Sequence, residues 1–84
     1  HIFSILTKNK KNFVKYLNKN KVFPGFHYQI LAHQNKGYVR FCKFKKNELI
    51  YSNKISKFQV SLPIYPELSN KNISNIINLI NSYK

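Results

Sequence analysis

Apolar and polar positions divide the 84 residues into segments of different period. His1 to Leu6 is mostly apolar, and Ile2, Phe3 and Ile5 favour a strand. Thr7 to Asn9 then offers side-chain oxygens suited to capping a helix start. From Lys10 to Asn20 the apolar positions are Phe13, Val14, Tyr16 and Leu17, with Lys or Asn elsewhere. Spacings of three and four put Phe13, Tyr16 and Leu17 on one face, which predicts an amphipathic helix. Asn20-Lys21 is its expected stop, because Asn tolerates the left-handed conformation that ends helices.

Val22 to Tyr28 is apolar and aromatic but interrupted by Pro24-Gly25, so a short strand or extended segment with a bend is expected there. Residues 29–41 carry no clear period and read as a functional loop, with one helical turn around Ile30 to Gln34. Asn47 opens a second expected helix, Glu48 to Ile55, whose pattern is diluted by Asn and Ser. Lys57 to Pro63 alternates apolar and polar residues as a half-buried strand does, and Pro63 ends it. Ser69 is a strong N-cap; Ile73, Ile76, Ile77 and Ile80 follow at helical spacing, so residues 70–82 form a helix with its Ile stripe in the core. The order β-α-β-loop-α-β-α, with three short strands, describes a single small α+β (or α/β) layer over residues 1–84: one short sheet with helices packed on a face.

So short a chain buries only roughly 60–65% of its unfolded surface, which makes its core marginal. No apolar run approaches the roughly 20 residues of a membrane span, so no transmembrane segment is expected, and the membrane is not among the expected partners. Residues 1–7 lack a basic leader followed by a long apolar stretch, and no signal peptide is read there. His1 in place of Met implies a processed chain or a piece of a longer one. The single cysteine, Cys42, forms no internal disulfide, in keeping with a cytoplasmic location.

Charge changes the picture. Fifteen Lys and Arg face two Glu (Glu48 and Glu67) and no Asp, for a net charge of +13. Such an excess points to nucleic acid or an anionic surface as partner. A compositional reading competes, because Lys, Asn, Ile, Phe and Tyr, the products of A- and T-rich codons, fill more than half of the chain. Arg40 is the one Arg, whereas a surface selected for phosphate tends to use the bidentate fork of Arg. The lack of acids also excludes chemistry. A Ser-His-Asp triad has no orienting aspartate, and neither Glu sits in a context that would replace it. A two-carboxylate glycosidase would need Glu48 and Glu67 together, yet Glu67 lies in the turn before the last helix. With glycine only at Gly25 and Gly37 there is no phosphate loop.

From Phe26-His27-Tyr28 through His33 and Tyr38, and again from Val60 to Pro66, the chain resembles the C-terminal segment of the DegT/DnrJ/EryC1/StrS family of pyridoxal-phosphate-dependent sugar aminotransferases. In that family a His-aliphatic-aromatic start leads into a helix. A stretch containing His-Tyr, Leu-His and Tyr follows, then Leu-Ser-Leu-Pro-aliphatic-aromatic-Pro-x-Leu-Ser/Thr, then a closing helix rich in Ile and Leu. Here these elements read His1-Ile2-Phe3, Val22 to Tyr28, Leu31-Ala32-His33 to Tyr38, Ser61-Leu62-Pro63-Ile64-Tyr65-Pro66-Glu67-Leu68-Ser69, and Ile73 to Ile80, in order over nearly the whole chain. Three departures stand out: Lys21 where the family often has Gly, Gln29 where Pro is common, and an idiosyncratic stretch over residues 39–47.

The resemblance implies the small C-terminal domain of the aspartate-aminotransferase fold. It implies transfer of an amino group, usually from glutamate, to a nucleotide-linked keto-sugar, in cell-surface polysaccharide or amino-sugar biosynthesis. Pyridoxal phosphate would be the cofactor, with the Schiff-base lysine and the aspartate on its pyridinium nitrogen both in a large domain. Partners would be that large domain and a second copy of the enzyme. Neither cofactor motif is in this chain, so the segment is not expected to transaminate alone.

Four residues are candidates for the substrate side: His27, Tyr28, His33 and Arg40. Imidazole and phenol at a strand end suit sugar hydroxyls or a diphosphate, while a His-Tyr pair on an aromatic strand also serves packing with a satisfied polar tip. His33 falls in the loop, where a solvated histidine is the competing reading. Arg40, with Tyr38 and Lys43 to Lys46, suits a diphosphate. The same cluster with Tyr28 and Phe41 suits single-stranded nucleic acid, the alternative function, and a solvated basic loop competes with both. His27, His33 and Cys42 are spaced unlike zinc ligands, and no metal is expected. Cys42 beside Lys43 reads as an ordinary thiol without a base partner.

Overall fold

A computed structural model of the chain describes residues 1–41, 43–45 and 47–84. Strand β1 (Phe3–Leu6) leads into helix α1 (Lys10–Lys19); a 3-10 turn at Ala32–Gln34 follows, then helix α2 (Ile50–Phe58), strand β2 (Gln59–Leu62) and helix α3 (Asn70–Ser82). The mixed layer expected from the sequence is present, with one difference in the sheet. β1 and β2 pair antiparallel, Phe3 opposite Leu62 and Leu6 opposite Gln59. The expected third strand is reduced to a single bridge on the other edge of β2, where Gly25 and Ser61 exchange backbone hydrogen bonds of 2.8 and 2.9 Å. Pro24 has no N–H to extend that ladder. The N–H of His27 turns instead to the side chain of Gln59, at 3.3 Å.

Asn9 caps α1 by accepting the N–H of Asn12 at 3.3 Å, and Phe13 and Leu17, one turn apart, are the residues it buries. The helix ends differently from expectation. Asn20 keeps a negative φ and Lys21 takes the left-handed conformation, at φ 60°. Helix α2 begins at Ile50 rather than at residue 48 and runs on through Lys57 and Phe58, which the alternating pattern assigned to the strand. Its end passes without a loop into β2. Ser69 caps α3 as expected, accepting the N–H of Asn72 at 3.3 Å.

β2 is buried on both faces, and the two faces differ in kind. Val60 and Leu62 point toward Phe13 and Leu17, and these four form the apolar core, with Ile5, Val14, Tyr16, Val22, Ile80 and Tyr83 around it. Gln59 and Ser61 point the other way and are buried as polar residues. Helix α3 joins the core at its C-terminal end. The Tyr16 hydroxyl donates to the Leu79 carbonyl at 3.1 Å, and the Tyr83 ring meets Phe13 edge-on at 4.9 Å and Tyr16 at 5.1 Å.

The Ile stripe of α3 does not form the core it was expected to form. Ile80 alone of the four borders it, whereas Ile73 and Ile77 are exposed and face an apolar groove of about 420 Å³ shared with Phe3, Ile64 and Tyr65. The molecule measures 47 × 29 × 18 Å, with a radius of gyration of 15.6 Å. About 12 Å would suffice for a compact chain of this length, so the layer is thin and one side stays open.

Candidate functional site

The polar face of β2 organises the best-defined side-chain cluster. Residues 59 and 61 share that face because strand side chains alternate, and the register places Ser4 directly across from Ser61. The Gln59 Nε2 donates to the Ser4 and Ser61 hydroxyls at 2.8 and 2.6 Å, and its Oε1 accepts the His27 backbone N–H at 3.3 Å. The Ser61 Oγ lies 2.9 Å from the His27 Nδ1. Gly25 makes room for the ring: a Cβ at that position would stand 2.9 Å from the His27 Cε1. Tyr28 meets the same imidazole edge-on at 5.5 Å and is itself exposed. His27 is thus an exposed residue whose ring is held at Nδ1 by a buried polar network.

Helix α2 anchors the adjoining loop. Asn53 and Ser56, three residues apart, lie on one face of it. The Asn53 Oδ1 accepts from the His33 Nε2 at 3.0 Å and the Gln34 Nε2 at 2.9 Å, and the Ser56 hydroxyl donates to the Tyr28 carbonyl at 3.1 Å. From α1, the Lys10 Nζ donates to the Ser56 carbonyl at 3.2 Å and sits 5.0 Å over the Phe26 ring. His33 is not the solvated loop histidine of the competing sequence reading: its half-buried side chain ties the 3-10 turn to α2, the ring edge-on to Phe44 at 6.0 Å.

Of the four sequence candidates, His27 and Tyr28 are in contact, and His33 reaches the helix that also holds Tyr28. Arg40 lies in the exposed turn over residues 36–41, its guanidinium 4.8 Å above the ring of Phe41. None of the four lines the groove beside α3 or the second cleft, of about 730 Å³, between α3 and Lys21 to Phe23. Cys42, and with it the metal set of His27, His33 and Cys42, lies outside the described residues. Among the described residues no group of three metal-binding side chains comes together, and no helix is long and apolar enough to cross a membrane. The Glu48 carboxylate accepts the Lys45 N–H at 3.1 Å and closes a turn.

Sequence reading missed Gln59, Ser61, Ser4 and Asn53. The alternation over Lys57 to Pro63 did put residues 59 and 61 on the polar side of a strand. It could not show that this side is covered, because the cover comes from Ser4, Gly25 and His27, far away in the chain.

This cluster can offer hydrogen bonds to a ligand through an aromatic, partly shielded rim. The side-chain partners of His27 within it are the Gln59 Oε1, on its backbone N–H, and the Ser61 Oγ, on its Nδ1.

The comparisons with known proteins identify the setting. The DegT/DnrJ/EryC1/StrS aminotransferase family is matched over residues 1–81. The chain is 28% identical over 83 residues to a dTDP-3-amino-3,6-dideoxy-alpha-D-galactopyranose transaminase of Aneurinibacillus thermoaerophilus, a match covering 99% of this chain and 22% of that enzyme. Its fold superposes on a crystal structure of a DegT DnrJ EryC1 StrS aminotransferase from Brucella abortus with a TM-score of 0.84, at 22% identity, over 95% of this chain and 21% of the other. It therefore spans about a fifth of the length of either relative. With nearly its whole sequence matched, the chain belongs to the DegT/DnrJ/EryC1/StrS aminotransferase family.

Proposed function

We propose that the chain is the small C-terminal domain of a pyridoxal-phosphate-dependent aminotransferase. Its substrate would be a nucleotide-linked keto-sugar, with glutamate as amino donor. The observation that carries this reading is the breadth of the match: nearly all of this chain aligns with about a fifth of a curated sugar transaminase. The cofactor itself does not fit these residues. A pyridoxal phosphate site takes a Schiff-base lysine and an acidic or basic partner for the pyridinium nitrogen. The chain has no aspartate, and Lys10, the lysine held against the His27 loop, is bonded to the Ser56 carbonyl. The cofactor would belong to the remaining four-fifths of such an enzyme.

What this domain would contribute is substrate contact and cover. His27 and Tyr28 form its candidate rim, positioned by β2 and α2; His33 and Arg40 are further candidates on the adjoining loop and turn. The open apolar groove supports the same reading, since large exposed apolar patches mark contact surfaces. Phe3, Ile64, Tyr65, Ile73 and Ile77 would lie against the large domain, which would also complete the substrate cavity in front of His27. A second copy of the enzyme is the further expected partner.

A chimera tests the proposal. This chain replaces the matching segment of the Aneurinibacillus transaminase, and the product is assayed for amino transfer to the parent's keto-sugar nucleotide. Turnover within roughly a hundredfold of the parent, lost on replacing His27 by Ala, is the expected result. A folded chimera that carries pyridoxal phosphate yet shows no turnover contradicts it.

A further inference from the structure

We propose that Gln59 and Ser61 are positioning residues that hold His27 in a single neutral tautomer, protonated at Nε2. The outward ring nitrogen is then a hydrogen-bond donor for an acceptor oxygen of the ligand. The assignment follows from counting protons around a closed circuit. The backbone N–H of His27 is a donor and can only be met by the Gln59 Oε1, at 3.3 Å, which fixes which way the amide points. The Nε2 of that amide has two hydrogens, and it faces the Ser4 and Ser61 oxygens at 2.8 and 2.6 Å. Ser61 therefore accepts from Gln59 and keeps one proton of its own to give. Its nearer remaining acceptor is the His27 Nδ1 at 2.9 Å, against 3.4 Å to the Ser4 Oγ. A nitrogen that accepts at Nδ1 leaves the imidazole proton on Nε2.

The same residue thus sets both ends of the chain of bonds: His27 orients Gln59 through its backbone, Gln59 orients Ser61, and Ser61 orients the His27 ring. The network is dry where it matters, since Gln59 and Ser61 are 4% and 3% exposed. Such bonds are stronger away from water and costly to leave unmade. Among the described residues no protein group meets the Nε2, and His27 is an exposed residue. A fixed N–H at that place selects ligands by an acceptor oxygen: a hydroxyl, carbonyl or phosphoryl oxygen. This ligand half rests on the reading that His27 faces substrate, whereas the tautomer half does not.

Nuclear magnetic resonance separates the two. Long-range proton–nitrogen spectra of the 84-residue chain, labelled with 15N at histidine and recorded at about pH 8.5, above the usual imidazole titration, report the tautomer of each ring. A protonated Nε2 and a bare, accepting Nδ1 are expected for His27. Ser61→Ala should move both shifts toward the average of exchanging tautomers, and Ser61→Thr should restore them. Gly25→Ala, which keeps Ser61 but displaces the ring, should behave like Ser61→Ala. Protonation at Nδ1, averaged shifts in the unmodified chain, or a Ser61→Ala spectrum unchanged at His27 would overturn the proposal. In the chimera, Ser61→Ala should lower kcat/KM about tenfold, the loss of roughly one oriented hydrogen bond. Wild-type kcat/KM in that variant overturns the ligand half. A chimera inactive before any such change overturns the functional reading and the ligand half with it, and leaves the tautomer to stand on the spectra.

Discussion

The Val22 N–H donates to the Leu17 carbonyl at 3.0 Å, and the chain reaches that bond by passing through Lys21 at φ 60°. With the Lys21 N–H on the Asn18 carbonyl at 3.0 Å, this is the paired closure of a helix end over one left-handed residue. Val22 then packs back on the core that contains Leu17. Gly, which the sequence resemblance leads one to expect in place of Lys21, is the residue that takes positive φ without a Cβ clash.

Lys21→Gly should therefore stabilise the chain. Relief of the left-handed conformation is worth about 1–2 kcal/mol, and the added freedom of glycine in the unfolded chain offsets about 0.4–1 kcal/mol of it. The net gain lies between about 0 and 1.6 kcal/mol, and its centre, about 0.8 kcal/mol, raises Tm by roughly 3–6 °C in a domain this small. Thermal melts followed by circular dichroism read it directly, and a lower Tm would mean that Lys21 is not left-handed in solution.

The core is small enough for one residue to decide folding. Leu17 is completely buried among Phe13, Val60 and Leu62. Leu17→Ala should cost about 2–5 kcal/mol, a large part of what so small a domain has available. Loss of the cooperative urea transition at 25 °C is the expected outcome. A midpoint shifted by less than a tenth would place the core elsewhere.

The 3-10 turn makes a gentler test. Asn53→Ala removes the acceptor of both His33 and Gln34, bonds of 3.0 and 2.9 Å at the partly open face of α2. Each is worth about 0.5–1.5 kcal/mol at most, and alanine returns part through its helix propensity. Global stability should change by less than about 1 kcal/mol, while the amides of residues 34, 35 and 39 exchange with deuterium faster and those of β2 do not. Unchanged exchange across residues 31–39 would show that the turn does not depend on α2.

How far the sequence could be read depended on whether a signal was local. Ser69 caps the helix it is expected to cap, and α1 takes its cap, Asn9, from the expected Thr7 to Asn9 stretch, because a cap is settled within four residues. The pair Phe13 and Leu17 was equally legible as one face of one helix. The start of α2 was not, since Asn47 and Glu48 look like a helix opening while the Glu48 side chain is occupied with the Lys45 N–H. Gly25 and Ser61, whose bridge replaces the third strand, are 36 residues apart, and no periodicity reports that contact. The same holds for the site. His27 and Tyr28 stood out by residue type and family position, but Gln59 and Ser61 matter through partners brought in from β1 and the Gly25 segment. The Ile stripe of α3 shows the converse limit: its period fixes which face is apolar, not what lies opposite.

That stripe separates the stability of this domain from its proposed role in a larger enzyme. Ile77 is 51% exposed and faces the groove beside Phe3 and Tyr65. A surface substitution of this kind usually changes stability by no more than about 0.5 kcal/mol, so Ile77→Lys should melt within roughly 2–4 °C of the unmodified chain. In the chimera the same lysine would lie against the large domain. A charge left without a partner in an apolar contact is costly, so soluble yield, cofactor retention or turnover should fall at least tenfold. Asn78→Lys, on the Lys21 side of α3 and lining the other cleft, is the control expected to spare both measurements. If Ile77→Lys is silent in the chimera as well, the groove is not where the small domain meets the rest of the enzyme. If it instead unfolds the isolated chain, Ile77 belongs to the core and the open face of the layer stops short of it.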